Sequence, residues 1–310
     1  MARAWKIVEH TVVKDNDLRK SLLDLGYCIP GNIGETKIRL LKNTFENFHD
    51  FKNTDGGMFY SLYSNDLDYR KMVNQELGSI LRTEYDQLFV NYKTVINSFI
   101  VKLAGPYSDF TLHQDSTGLD EFLYSPLSVW IPLQDTTLEN GTLCIIPKTH
   151  GFFNPYRGIS FSSPFKNYEE VLKKYLVPIN LKAGDILLFD NRLVHYSHLN
   201  KSPKPRIVIM SGIFPKEADL ISVYKDESEK NSPLEVYKQT EDFLITNTAF
   251  YENCTARPYR GELSKLIQEP MDEISVYDFL SWASRNDVKA TDIQQLTQAD
   301  FTMQIISEPR

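Results

Sequence analysis

Along residues 14–26, 35–51 and 66–90, apolar side chains recur at the three-to-four-residue spacing of amphipathic helices. An Asp/Asn start and Gly26 bracket the first stretch as start and stop signals; Thr36 and Asp66 or Asp68 stand near the starts of the other two. From about 92 to 215 the rhythm changes. Short β-rich runs (YKTVINSFIVKL, FTLHQD, PLSVWIPL, GTLCIIP, GDILLFD, LVHYSH and RIVIMSGIF) alternate with turn residues, which is the spacing of an all-β sandwich or barrel. After Pro215 a polar stretch, KDESEKNSP, leads to helical patterns near 233–247, 274–285 and 291–299. The pattern predicts a mainly β domain with flanking helices over 1–215, its β core at about 92–215. It predicts a largely helical C-terminal extension over 216–310, a candidate lid or dimer surface.

Composition narrows the function classes. With 310 residues, 42% of them hydrophobic and 24% charged, the chain can build a sizeable core without disulfides or structural metals. A net charge of −7 argues against a nucleic-acid partner, which would call for clustered Lys and Arg. It leaves a small-molecule substrate as the expected partner. Cys28, Cys144 and Cys254 are odd in number and lack CxxC pairing, so they read as thiols in a reducing compartment. No stretch approaches the ~20 apolar residues of a membrane span. The expectation is a soluble cytoplasmic protein, monomer or homodimer.

Among the six histidines, only His113 stands in a spacing with obvious chemistry, as His113-Gln114-Asp115. On a strand, residues i and i+2 share a face, so an inward HxD presents an imidazole and a carboxylate to one point. Two His and one carboxylate form the facial triad of non-haem Fe(II) oxygenases, with coordination positions left open. A second constellation runs from Gly184 to Ile209. His195 and His198 are both candidate third ligands. The turn after them, with Asn200, Ser202, Pro203 and Pro205, brings the strand opening with Arg206 back alongside. A guanidinium there can fork the distal carboxylate of a dicarboxylate, and Ser197, on the face of His195, can donate to the same group.

These residues resemble the phytanoyl-CoA dioxygenase-like family of Fe(II)/2-oxoglutarate oxygenases. The matching pieces are HQD at 113–115, SVWIPL at 128–133, ENGTLCIIPKTHG at 139–151, GDILLFD at 184–190 and HYSHLNKSPKPR at 195–206. The resemblance implies a double-stranded β-helix (jelly-roll, cupin-like) core. It implies His113, Asp115 and His195 as iron ligands, Arg206 and Ser197 as 2-oxoglutarate contacts, and Trp130 beside the co-substrate, where it also reads as a plain core aromatic. The family register of Ser, Asn, Ser and Arg fits from His195 and not from His198. Where the family has PGSH and HGS, this chain has PKTH and HYS, which bears on the rim of the pocket and hence on substrate.

The resemblance further implies a dioxygenase using Fe(II), 2-oxoglutarate and O2, releasing succinate and CO2. In related halogenases the carboxylate ligand is replaced by a small residue; Asp115 therefore points to hydroxylation, desaturation or cyclisation. The expected substrate is an amino acid or secondary-metabolite intermediate, with an acyl-CoA or a non-catalytic cupin-like binding module as alternatives. His150 and Arg157 are candidate substrate contacts, against readings as a turn cap and a solvated loop residue. His10 and His49 read as surface residues.

Overall fold

The computed structural model describes residues 7–49, 57–152, 156–160, 162–229, 232–246, 261–268 and 274–291. The first helix, α1 (Asn16–Leu25), starts where the Asp15 carboxylate accepts from the backbone N–H groups of Asp17 and Leu18. It ends at Gly26, whose left-handed φ of 86° favours glycine. A Cβ at Gly26 would also strike the His150 ring at 2.6 Å. The second helix, α2 (Glu35–Phe48), follows Gly34 without a side-chain cap, so Thr36 plays no such part. The third, α3 (Leu67–Leu88), is capped by Asp66 and buries Val73, Leu77, Leu81 and Tyr85 on one stripe.

That stripe lies on a six-stranded antiparallel sheet. Its strands are β1 (Tyr27–Asn32), β2 (Met58–Tyr60), β3 (Tyr92–Lys102), β5 (Leu127–Pro132), β8 (Asp185–Asp190) and β10 (Arg206–Pro215), in the order β1-β8-β5-β10-β3-β2. Side chains alternate between its faces. Phe99, Val101, Val129, Ile131, Ile209 and Ile213 join the helices in the main core. Ile100, Ser128, Trp130, Arg206 and Met210 line a cavity on the other side. A register shift opposite Gly212 and Ile213 leaves Val95 without a pairing partner, and both Val95 and Ile96 reach the cavity.

A four-stranded sheet contributes the opposite wall: β4 (Phe110–His113), β6 (Leu143–Ile145), β7 (Val177–Pro178) and β9 (His195–Ser197), in the order β4-β9-β6-β7. Two antiparallel sheets joined in this interleaved order are the double-stranded β-helix expected from sequence. The short helix α4 (Glu169–Lys173) leads into β7. The outer face of the smaller sheet carries Cys144, Val194 and Tyr196, packed in one cluster with Phe279 and Trp282 of the last described helix, α6 (Val276–Arg285). Ser275 and Asp278 form a capping box at its start. Strands β1 and β2 add to the β core from outside the expected 92–215.

The C-terminal region departs from expectation. It was expected to be largely helical, yet it forms a three-stranded sheet of β11 (Leu220–Tyr224), β12 (Leu234–Gln239) and β13 (Glu262–Ile267). The stretch 233–247 is β12 followed by one helical turn, α5 (Phe243–Thr246). In β12, Leu234, Val236 and Gln239 are buried while Glu235, Tyr237 and Lys238 are not. This near-alternation is read as a helix only when the partner strands are out of view. The 274–285 helix stands where expected; 291–299 lies outside the described residues apart from Thr291, as does Cys254. Cys28 and Cys144 are buried, unpaired thiols. No described helix is long and apolar enough to cross a membrane.

Candidate metal centre

β4 and β9 are neighbours in register, with His113 opposite His195. Their rings stand 4.0 Å apart between centroids. Asp115, just past the end of β4, completes the group: its Oδ1 is 3.8 Å from His113 Nε2 and 3.7 Å from His195 Nε2. One ligand atom from each residue lies within 4.8 Å of the others.

What surrounds these atoms prepares them for a cation. A backbone carbonyl only accepts, so His113 Nδ1–H donates to Thr111 O at 2.8 Å and His195 Nδ1–H to Leu193 O at 2.9 Å. Each ring is thereby fixed in the tautomer whose Nε2 lone pair faces the shared point. Burial, and then the neighbouring His195, hold His113 well below the usual histidine range, in the neutral form that ligates. On the carboxylate, Ser128 Oγ donates to Oδ2 at 2.9 Å, leaving Oδ1 toward the imidazoles. The donor set fits iron(II) or a similar divalent metal. His198 is not in the group; its ring stands edge-on to Tyr196, 4.8 Å between centroids.

Arg206 lies at the base of the same cavity, 2% exposed, with its guanidinium 5.3 Å from the centre of the Trp130 ring. Its Nη1 donates to Gly141 O at 2.5 Å, but its Nε is buried without a partner. Burial pushes the group down to about 10, still cationic at neutral pH. A buried cation facing no carboxylate among the described residues fits an anion arriving from solution. Ser197 Oγ accepts from Lys102 Nζ at 2.8 Å, so its own hydroxyl proton is free for another acceptor.

The two candidate substrate contacts fare differently. Arg157 borders the cavity and is buried, not solvated. Its Nη1 and Nη2 grip Glu121 at 2.8 and 2.5 Å, and its Nε donates to the Asp115 carbonyl at 2.7 Å. It buttresses the metal loop, and its charge is already matched. His150 does not line the cavity: it is 1% exposed, with Nε2 3.1 Å from Leu23 O, behind α1. Nor are His10 and His49 on the surface. His10 pairs with buried Asp190 at 3.1 Å, and His49 stacks on Phe45.

Sequence reasoning left three supporting residues unassigned. Lys102, at the end of β3, is fully buried with its Nζ in hydrogen-bond reach of Ser197 Oγ, Ser197 O and His198 O. Ser128 and Asn191 brace Asp115, the first through its hydroxyl and the second through its backbone carbonyl. A lone serine at the head of the apolar run SVWIP was the available signal for Ser128.

The fold and this His/Asp/His cluster define a double-stranded β-helix protein with a facial metal site. The sequence profile described as phytanoyl-CoA dioxygenase (PhyH) matches residues 31–208, more than half of the chain, and the chain belongs to that family. It is 34% identical over 114 residues to a phytanoyl-CoA dioxygenase of Arabidopsis thaliana, covering 35% of this chain and 39% of that one. It is 32% identical over 136 residues to phytanoyl-CoA dioxygenase 1 of Oryza sativa subsp. japonica, covering 42% and 47%. The chain thus spans less than half the length of these curated relatives. Among solved structures, the non-heme α-ketoglutarate-dependent carbocyclase SnoK from nogalamycin biosynthesis shares the fold, with a TM-score of 0.51, 17% identity, 67% of this chain and 86% of that one.

Proposed function

We propose that this chain is an Fe(II)- and 2-oxoglutarate-dependent dioxygenase that hydroxylates a small-molecule metabolite. The observation that carries the reading is the convergence of two tautomer-locked imidazoles and one carboxylate oxygen in a cavity that also holds a buried, carboxylate-free arginine. His113, Asp115 and His195 would hold the metal. Arg206 would fork the distal carboxylate of 2-oxoglutarate, with Trp130 packed against the guanidinium and Ser197 donating its free proton. Iron with 2-oxoglutarate supplies an oxidation driven by O2, in which the co-substrate leaves as succinate and CO2.

The residues' own contribution is placement. Arg157 and Ser128 fix Asp115 from its carbonyl and its carboxylate. The two sheets flank the centre, and most of the cavity wall around it is apolar. The test is formation of succinate from 2-oxoglutarate by the iron-loaded chain, with mass spectrometry for an oxygen gained in a substrate panel. Succinate that forms equally well without iron, or with His113→Ala, would defeat the reading.

A further inference from the structure

The cavity at the metal centre measures about 440 Å³, more than a metal ion and a small diacid fill. We infer that the remaining space takes an uncharged, predominantly apolar substrate, held by burial and shape with no ion pair. The word substrate, and the assignment of Arg206 to a co-substrate, rest on the oxygenase reading above; the apolar walls do not.

The charges are the first argument. Among the described lining residues the ionised or metal-binding groups are His113, Asp115, His195, Arg206 and Arg157. Three form the metal centre, Arg206 serves the co-substrate, and Arg157 is held by both oxygens of Glu121. An amino acid would bring a carboxylate and an ammonium into this space and find no described counter-charge for either, a heavy desolvation cost.

The walls are the second argument. Leu220, Val223, Phe243 and Leu244 line the cavity from β11 and α5. They lie beyond the 31–208 stretch that matches the family. Val95 and Ile96, at the bulge in β3, pack in one cluster with Leu220 and Leu244 and extend the apolar lining. Uncharged polar lining residues such as Tyr60, Thr111 and Ser163 can orient an apolar ligand without demanding charge.

The full chain titrated with the uncharged dye Nile red tests this. Saturable binding at one site is expected, with displacement by uncharged lipophilic alcohols such as farnesol and none by phenylalanine or octanoyl-CoA at equal concentration. Leu244→Asp and Ile221→Asp, both at half-buried lining positions, should each weaken dye binding by about tenfold or more, as expected for a charge facing an apolar ligand. Leu263→Asp, on the exposed outer strand β13, should leave it unchanged. Displacement by phenylalanine or octanoyl-CoA but not by farnesol would overturn the inference, and this comparison needs no variant to fold. Equal dye affinity in all three variants would overturn it too. Dye binding requires no iron. Normal dye binding without succinate formation would therefore defeat the oxygenase reading alone, while turnover of an amino acid would defeat only the apolar substrate.

Discussion

Two arginines reach the same cavity and are treated in opposite ways. Arg157, on the flank, is closed off by both oxygens of Glu121 and by the Asp115 carbonyl. Arg206, at the base, has a carbonyl, an aromatic face and a buried Nε with no partner. Both are buried cations, so both carry a desolvation cost that some anion must offset. For Arg157 the chain supplies that anion itself, and the residue is structural. For Arg206 no described residue supplies it, which is the arrangement a dicarboxylate co-substrate would complete. Burial alone does not separate a scaffold arginine from a binding arginine; the presence of an internal counter-ion does.

The largest effect should come from removing the metal end altogether. His113→Ala or Asp115→Ala is expected to abolish iron retention and iron-dependent succinate formation together. Metal analysis after desalting checks the first and 2-oxoglutarate consumption the second. Full activity in either variant would show that the cluster is not the centre.

Next in size, Glu121→Ala breaks the comparison from the flank. It removes the carboxylate that both Arg157 Nη atoms grip in the interior, and loss of one partner of a buried pair costs about 3–5 kcal/mol. Urea unfolding should show it, and the double variant Arg157→Met with Glu121→Leu should recover most of the loss. If Glu121→Ala unfolds like the parent chain, the pair is not the closed unit its geometry suggests.

Arg206→Met should behave in the reverse manner. No described carboxylate is stranded by it, so the chain without co-substrate should lose little stability. The apparent KM for 2-oxoglutarate should rise by on the order of 100-fold, the scale of one lost partner in a desolvated charge pair. A stability loss matching that of Glu121→Ala, with KM unchanged, would place Arg206 in the scaffold as well.

Much of this was legible in the sequence because the relevant signals are local. The seven β runs from YKTVINSFIVKL to RIVIMSGIF each contain a strand, and HxD stands at the end of one, with His113 on β4 and Asp115 just past it. Tertiary context was not legible. Arg157 looks solvated in a loop because its counter-ion Glu121 stands 36 residues away with no motif linking them. His150 looks like a rim residue because sequence does not show that α1 packs over it. β12 looks helical because near-alternation over six residues is a weak signal, and its identity is settled by pairing with β11 and β13. Lys102 sits at the end of a strand with buried neighbours on either face, so its direction depends on the register with Arg206 opposite.

Lys102 supplies the smallest effect and the sharpest test of how the base of the cavity handles charge. Burial first, then Arg206, push its ammonium down to about 6. In the unfolded chain a lysine titrates near 10.4. Between these values the unfolded chain holds a proton that the folded chain lacks, so the Lys102 contribution makes folding more favourable as pH rises, and levels off below about pH 6. Lys102→Met has no such proton. The stability of the parent chain relative to this variant should therefore increase from about pH 6.5 to 8.5, by up to ~1.4 kcal/mol per pH unit, in urea unfolding without metal or co-substrate. Parallel pH profiles would mean that Lys102 keeps its proton. In that case the base of the cavity would hold two cations, and the distinction between Arg206 and Arg157 would have to include Lys102 as a second site for the incoming anion.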